Sequence, residues 1–119
     1  MDKSLREFIE EARAEYNKIG FVCCPAFGNE QIYFNRHGFN HLLRSTGKLR
    51  LIRNLIRKLK LFPYAVDVIA SSVAFRNYQK FDNGNELWSL EKEIEQRKFT
   101  VVIKREREIR YFLSIMDKK

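Results

Sequence analysis

A chain of 119 residues with 45% hydrophobic and 13% aromatic content suffices for one domain with its own core and is short for two. No apolar run approaches the roughly 20 residues that span a bilayer, and the N-terminus, MDKSLREFIEEARAEY, is charged where a secretory leader is apolar. A cytoplasmic protein that does not enter the membrane is therefore expected.

Residues 1–20 read as an amphipathic helix. Leu5, Phe8, Ile9, Ala12 and Tyr16 recur at helical spacing, and Gly20 is the natural stop. The rest, 21–119, reads as a single α+β domain. Gly20, Pro25 and Gly28 break any regular element in the linker GFVCCPAFGNE, and QIYFN follows as a short extended segment. Cys23 and Cys24 are adjacent, a spacing that strains a bridge between them, so reduced intracellular thiols are expected. A second helix is placed over His37 to Arg44 and a third over about Lys48 to Phe62, closed by Pro63. In that third helix Leu49, Ile52, Ile56 and Leu59 form an apolar stripe, and Arg50, Arg53, Arg57 and Lys60 form a basic ridge suited to a phosphate backbone. YAVDVIASS reads as one or two further helical turns. From Phe75 onward the period changes to two: FRNYQKF, ELWSLEKEI, KFTVVIKRE and IRYFLSIM are separated by short polar turns, the signature of four strands in an antiparallel meander. Helices first and strands last predict an α+β fold with the N-terminal helices packed on a four-stranded antiparallel β-sheet.

The net charge of +8 is localised. From Gln31 to Val66 there is no Asp or Glu, while Arg36, Arg44, Lys48, Arg50, Arg53, Arg57, Lys58 and Lys60 are basic, and the remainder of the chain is balanced. Such a block favours a polyanion partner, RNA above all.

Within it lies FNRHGFNHLLR, which holds the only two histidines, His37 and His41, at i and i+4 on one helical face, with Arg44 at i+7 and Arg36 beside them. Three readings compete. A metal pair lacks both a third ligand and an intervening glutamate, and a cation would sit among arginines; no metal or other cofactor is expected. An acid/base pair suits the surroundings, since imidazoles titrate near neutrality and arginines stabilise the charge that develops on a phosphate. Alternatively the two histidines are polar surface positions on a helix held by Phe39, Leu42 and Leu43.

The order IYFNRHGFNHLL, a basic helix, LFPYAVDVI, FRNYQKF, FTVVIKR and IRYFLSI resembles the small nucleases that group barnase, EndoU, colicin-type tRNases and RelE-like toxins (the BECR fold), in particular their phage and mobile-element branch. The resemblance covers about Gln31 to Met116 and leaves the first helix as an addition. It implies that His37 and His41 are the acid/base residues and that Tyr78 or Lys80, on the first strand of the meander, stands opposite them. It also implies that Ser114 on the last strand faces the cleft, with Arg110, four residues earlier, on the same face.

The function expected from these readings is a metal-independent endoribonuclease, or RNase-toxin-like domain, acting through 2′-OH attack, with Arg36, Arg44 and Arg110 holding the phosphate. Such a toxin needs an acidic antitoxin or immunity protein as partner. The alternative is a non-catalytic phage or mobile-element protein whose basic face binds RNA or an acidic host protein. Docking of the third helix on a membrane surface is disfavoured, because its apolar face lacks interfacial aromatics. Convergence discriminates: histidines turned toward the strands favour the enzyme, and histidines turned away favour the binder.

Overall fold

The computed structural model describes residues 4–118. Helix α1 (Leu5–Ile19) begins at Ser4, whose hydroxyl accepts from the Glu7 amide at 3.1 Å, and ends at Gly20, where a φ of 68° turns the chain out of the helix. A hairpin follows, β1 (Phe21–Cys24) and β2 (Glu30–Tyr33), joined through a 3-10 turn at Pro25–Phe27. Next come α2 (Arg36–Leu43), a two-residue hairpin of β3 (Arg44–Ser45) and β4 (Lys48–Leu49), and α3 (Ile52–Ser71). The chain ends in β5 (Asn77–Lys80), β6 (Glu86–Ile94), β7 (Arg97–Glu106) and β8 (Ile109–Lys118).

The α+β class and the closing antiparallel meander are as the periodicity indicates, but the sheet is larger. Its order is β1-β2-β8-β7-β6-β5, six strands rather than four, and mixed rather than antiparallel, because β2 lies parallel to β8 where Tyr33 meets Tyr111. The glycines and proline expected to abolish structure between residues 20 and 30 instead delimit the β1–β2 hairpin. Gly20 precedes it, Pro25 opens its connection, and Gly28 (φ 64°) and Asn29 (φ 64°) bend the chain back.

The third helix also differs from expectation. Lys48 and Leu49 belong to the small hairpin, and α3 continues through Pro63 to Ser71. A proline inside a helix costs about 3 kcal/mol. Leu59, Leu61 and Phe62 before it and Ala65, Val68 and Ile69 after it are all buried, and each large apolar side chain contributes about 1.5–3 kcal/mol by burial, so an unbroken helix wins. The buried stripe runs through Leu55, Leu59 and Phe62; Leu49 and Ile52, expected on that stripe, are exposed.

The helices share one core against one face of the sheet. Its centre is Tyr16 of α1, whose ring lies 5.6 Å from Phe34, 5.1 Å from Phe39 of α2, 5.5 Å from Phe62 of α3 and 6.2 Å from Phe112 of β8. The Tyr16 hydroxyl donates to the carbonyl of Asn35 at 2.8 Å, fixing the entry to α2. Gly38 lets α2 press against β8: a Cβ there would collide with the Phe112 carbonyl oxygen and the Tyr16 hydroxyl. Cys23 and Cys24 are free, the first exposed and the second buried.

One irregularity in β8 decides which side chains can meet. Ile103 pairs with Phe112 but Val102 pairs with Ser114, so Leu113 is an extra residue that shifts the alternation of the strand. Tyr111 and Ser114 therefore project from the face opposite the helices, together with Lys104 and Val102. Arg110 projects with Phe112 on the helix-covered face. The inference that Arg110 and Ser114, four apart, share a face fails for this reason.

Candidate functional site

Helix α2 is held at both ends. Asn35 caps its start, its side-chain oxygen accepting from the Gly38 amide at 3.3 Å. At its other end the Arg50 guanidinium donates to the carbonyls of Leu42 (3.1 Å) and His41 (3.0 Å), occupying acceptors that the last turn leaves unmet. With Gly38, Phe39, Leu42 and Leu43 buried, His37 and His41 are left on the flank that faces the open side of β7 and β8.

The His37 ring is exposed and lies 5.7 Å from the ring of Tyr111. Tyr111 is buried, and its hydroxyl donates to the Glu106 carboxylate at 2.8 Å; the Lys104 ammonium lies 2.9 Å from the same oxygen. The Lys104 hydrogen bond, then the Tyr111 hydroxyl, then the charges of Lys104 and His37 hold Glu106 below the usual carboxylate range. Burial, reinforced by the hydrogen bond to Glu106, pushes the Tyr111 phenol well above its ordinary value, so it remains a donor. His41, half-buried, is pushed below the ordinary imidazole value by burial and then by the charges of Arg50, Lys58 and Lys104. It is neutral at pH 7 and available to accept a proton. Lys58 reaches from α3 to the carbonyl of Ile115 on β8 at 2.5 Å.

The other residues expected at the site separate into those that lie near this cluster and those that do not. Ser114 is buried on the same face of β8 as Tyr111. Arg36, the first residue of α2, is exposed beside His37. Arg44 lies past the end of α2 and donates to the Gly47 carbonyl at 3.5 Å, so it belongs to the small hairpin. Tyr78, Lys80 and Arg110 project from the opposite face of the sheet. Register places Tyr78 beside Trp88 and Lys80 beside Glu86, the Tyr78 hydroxyl donates to Glu86, and Arg110 pairs with Glu30 while its guanidinium stacks 4.9 Å from the Trp88 ring. None of these three reaches the histidines. Along α3, Arg53 and Lys60 are exposed, and Arg57 pairs with Asp117.

Sequence reasoning missed Lys58, Lys104, Glu106 and Tyr111. The signal for Lys104 and Glu106 is the alternation of IKRERE, which places both on one face; that this face is the one the histidines meet depends on where α2 packs. Among the described residues no group of three or more His, Cys, Asp or Glu side chains is placed to hold a metal ion, and no helix is long and apolar enough to cross a membrane.

In comparisons with family models, with curated proteins and with solved structures, no match to this chain was found.

Proposed function

We propose that this protein is a metal-independent endoribonuclease and that the surface where α2 meets the β7–β8 strands is its active site. The observation that carries this reading is the His37 ring 5.7 Å from Tyr111, whose hydroxyl shares the Glu106 carboxylate with Lys104, while His41, one turn along α2, lies in the field of the same Lys104. Neutral His41 takes the proton from a ribose 2′-OH. The 2′-oxygen then attacks the adjacent phosphorus, the bond from phosphorus to the 5′-oxygen breaks, and the His37 imidazolium delivers a proton to that departing oxygen. The products are a 2′,3′-cyclic phosphate and a 5′-hydroxyl, so atoms and charge balance without a co-reactant. Lys104 and Arg36 stabilise the charge that accumulates on the phosphoryl oxygens. The Tyr111 ring and the charge of Glu106 orient the His37 imidazole for its role as acid. The acid-free segment from Gln31 to Val66 supports RNA as the substrate class, since it supplies Arg36 beside His37 and the charges of Arg50 and Lys58 that act on His41.

The test is incubation of total RNA in EDTA with the wild-type protein and with the His37→Ala, His41→Ala double variant. Cleavage by the wild type alone, leaving 2′,3′-cyclic phosphate ends, is expected. RNA that stays intact with both proteins yet is bound by both would replace this reading with that of a non-catalytic RNA-binding module.

A further inference from the structure

Where the first turns of α3 face the end of β8, a cavity of about 230 Å³ is lined by Arg50, Asn54, Arg57, Lys58 and Asp117, with apolar walls from Leu61 and Met116. Three cations face one carboxylate. That carboxylate is already engaged by Arg57 and by Arg97, and the Asp117 side chain is only 5% exposed. The cations next to His41 retain unspent donors. Lys58 uses one of its three N–H groups on the Ile115 carbonyl, and Arg50 uses Nε and one hydrogen of Nη2 on the end of α2. The cavity thus joins excess positive charge, free N–H groups and partial enclosure, the combination that suits a phosphate and its charge-assisted hydrogen bonds. It is separate from the space in front of His37, Lys104 and Glu106, but is linked to α2 through Arg50, which donates to the His41 carbonyl at 3.0 Å.

We propose that this cavity is a second phosphate subsite, which binds the phosphodiester next to the scissile one on Arg50, Lys58 and Asn54. The inference rests on the nuclease reading for the identity of the strand, but not for the existence of an anion site. A neighbouring phosphate held here fixes the direction in which RNA crosses α2, and makes the enzyme prefer substrates that extend beyond a dinucleotide. Beyond the cavity, Arg53, Arg57, Lys60 and Arg97 line an adjoining groove along α3 that continues the basic path.

The experiment uses DNA oligonucleotides with one cleavable ribonucleotide, in which each phosphate flanking the scissile one is replaced in turn by an uncharged methylphosphonate. In the wild-type protein one of the two replacements is expected to lower kcat/KM about tenfold, the size of one charge-assisted hydrogen bond. In Lys58→Gln, and in Asn54→Asp, which adds a negative charge at an exposed helix position, that replacement should make no difference. A parallel calorimetric titration with adenosine 3′,5′-bisphosphate, on a His37→Ala, His41→Ala background, reads the cavity without chemistry. Affinity should fall about tenfold when Lys58→Gln is added. Cleavage that responds equally to the methylphosphonates in wild type and both variants overturns the subsite and leaves the nuclease intact. Absence of cleavage together with Lys58-dependent bisphosphate binding removes the nuclease and keeps the anion site. Bisphosphate binding indifferent to Lys58 overturns the proposal in either case.

Discussion

Two tyrosine–glutamate–cation clusters occupy opposite faces of the same sheet. On the face away from the helices, Tyr111 and Lys104 hold Glu106; on the helix-covered face, Tyr78 and Arg105 hold Glu86. The side-chain chemistry is nearly the same. The surroundings are not: Tyr111 is buried and lies against His37, whereas Tyr78 is exposed at the outer strand and lies against Trp88, both ring pairs tilted. A carboxylate held by a phenol and a cation is therefore no site in itself. What sets the Glu106 cluster apart is the His37 ring that α2 places beside it.

The strongest way to break the comparison is to remove the ring that only one cluster has nearby. His37→Ala should lower RNA cleavage by roughly 10²–10⁴-fold, the range of a lost general acid, with the melting temperature little changed because the His37 ring is exposed. Any rate loss should be invisible to substitutions at Tyr78 or Glu86. A second route displaces the delivery while leaving every site residue in place. Gly38→Ala forces a methyl group into the Phe112 carbonyl and the Tyr16 hydroxyl, and overpacking of this kind destabilises by about 1–3 kcal/mol. Chemical denaturation should show that loss, and cleavage should fall with it because α2 can relieve the collision only by moving off β8.

The parts of the site that could be read in the sequence are those set by local pattern. His37 and His41 share a helical face whatever that helix packs on, and the acid-free stretch is a property of composition. The sheet partners of the histidines depend on a bulge. One extra residue at Leu113 turns Arg110 to the wrong face and Tyr111 to the right one, and no periodicity in IRYFLSIM announces it. The same holds at Pro63, where burial on both sides of the proline outweighs a local preference. Glycine and proline around residues 20–28 mark the ends of a hairpin as readily as the absence of one, and only the pairing of β2 with β8 decides between them.

Acid provides a further contrast, between the surroundings of His41 and an ordinary exposed imidazole. Because His41 in the folded protein lies below its ordinary value of 6.5, first through burial and then through Arg50, Lys58 and Lys104, the unfolded chain takes up that proton first as pH falls. The contribution of His41 to stability is thus complete above about pH 6.5 and declines below it. Denaturation midpoints measured from pH 7.5 to 5 should fall for the wild type, and His41→Gln should flatten that slope. An unchanged slope would mean that the ring is not desolvated among these cations. Cleavage should lose its rate over the same acidic range, as the base becomes protonated.

The most discriminating small effect comes from the two glutamates. Glu106→Gln keeps an acceptor for Tyr111 but removes the charge that balances Lys104 beside His37, and a loss of one charge-assisted contact predicts a fall in kcat of about tenfold. Glu86→Gln makes the same chemical change in the other cluster, where Arg105 lies 2.9 Å away and no imidazole adjoins. Its cleavage rate should match that of the wild type. The comparison is sharpest when both variants are also measured for RNA affinity. Each removes one negative charge from a basic protein, so each strengthens long-range attraction to RNA in a similar, salt-dependent way. A rate difference between them at saturating RNA then reports position alone. Equal rates would show that Glu106 acts only through the overall field, and that Tyr111 and Lys104 do no more for His37 than Tyr78 and Arg105 do for Trp88.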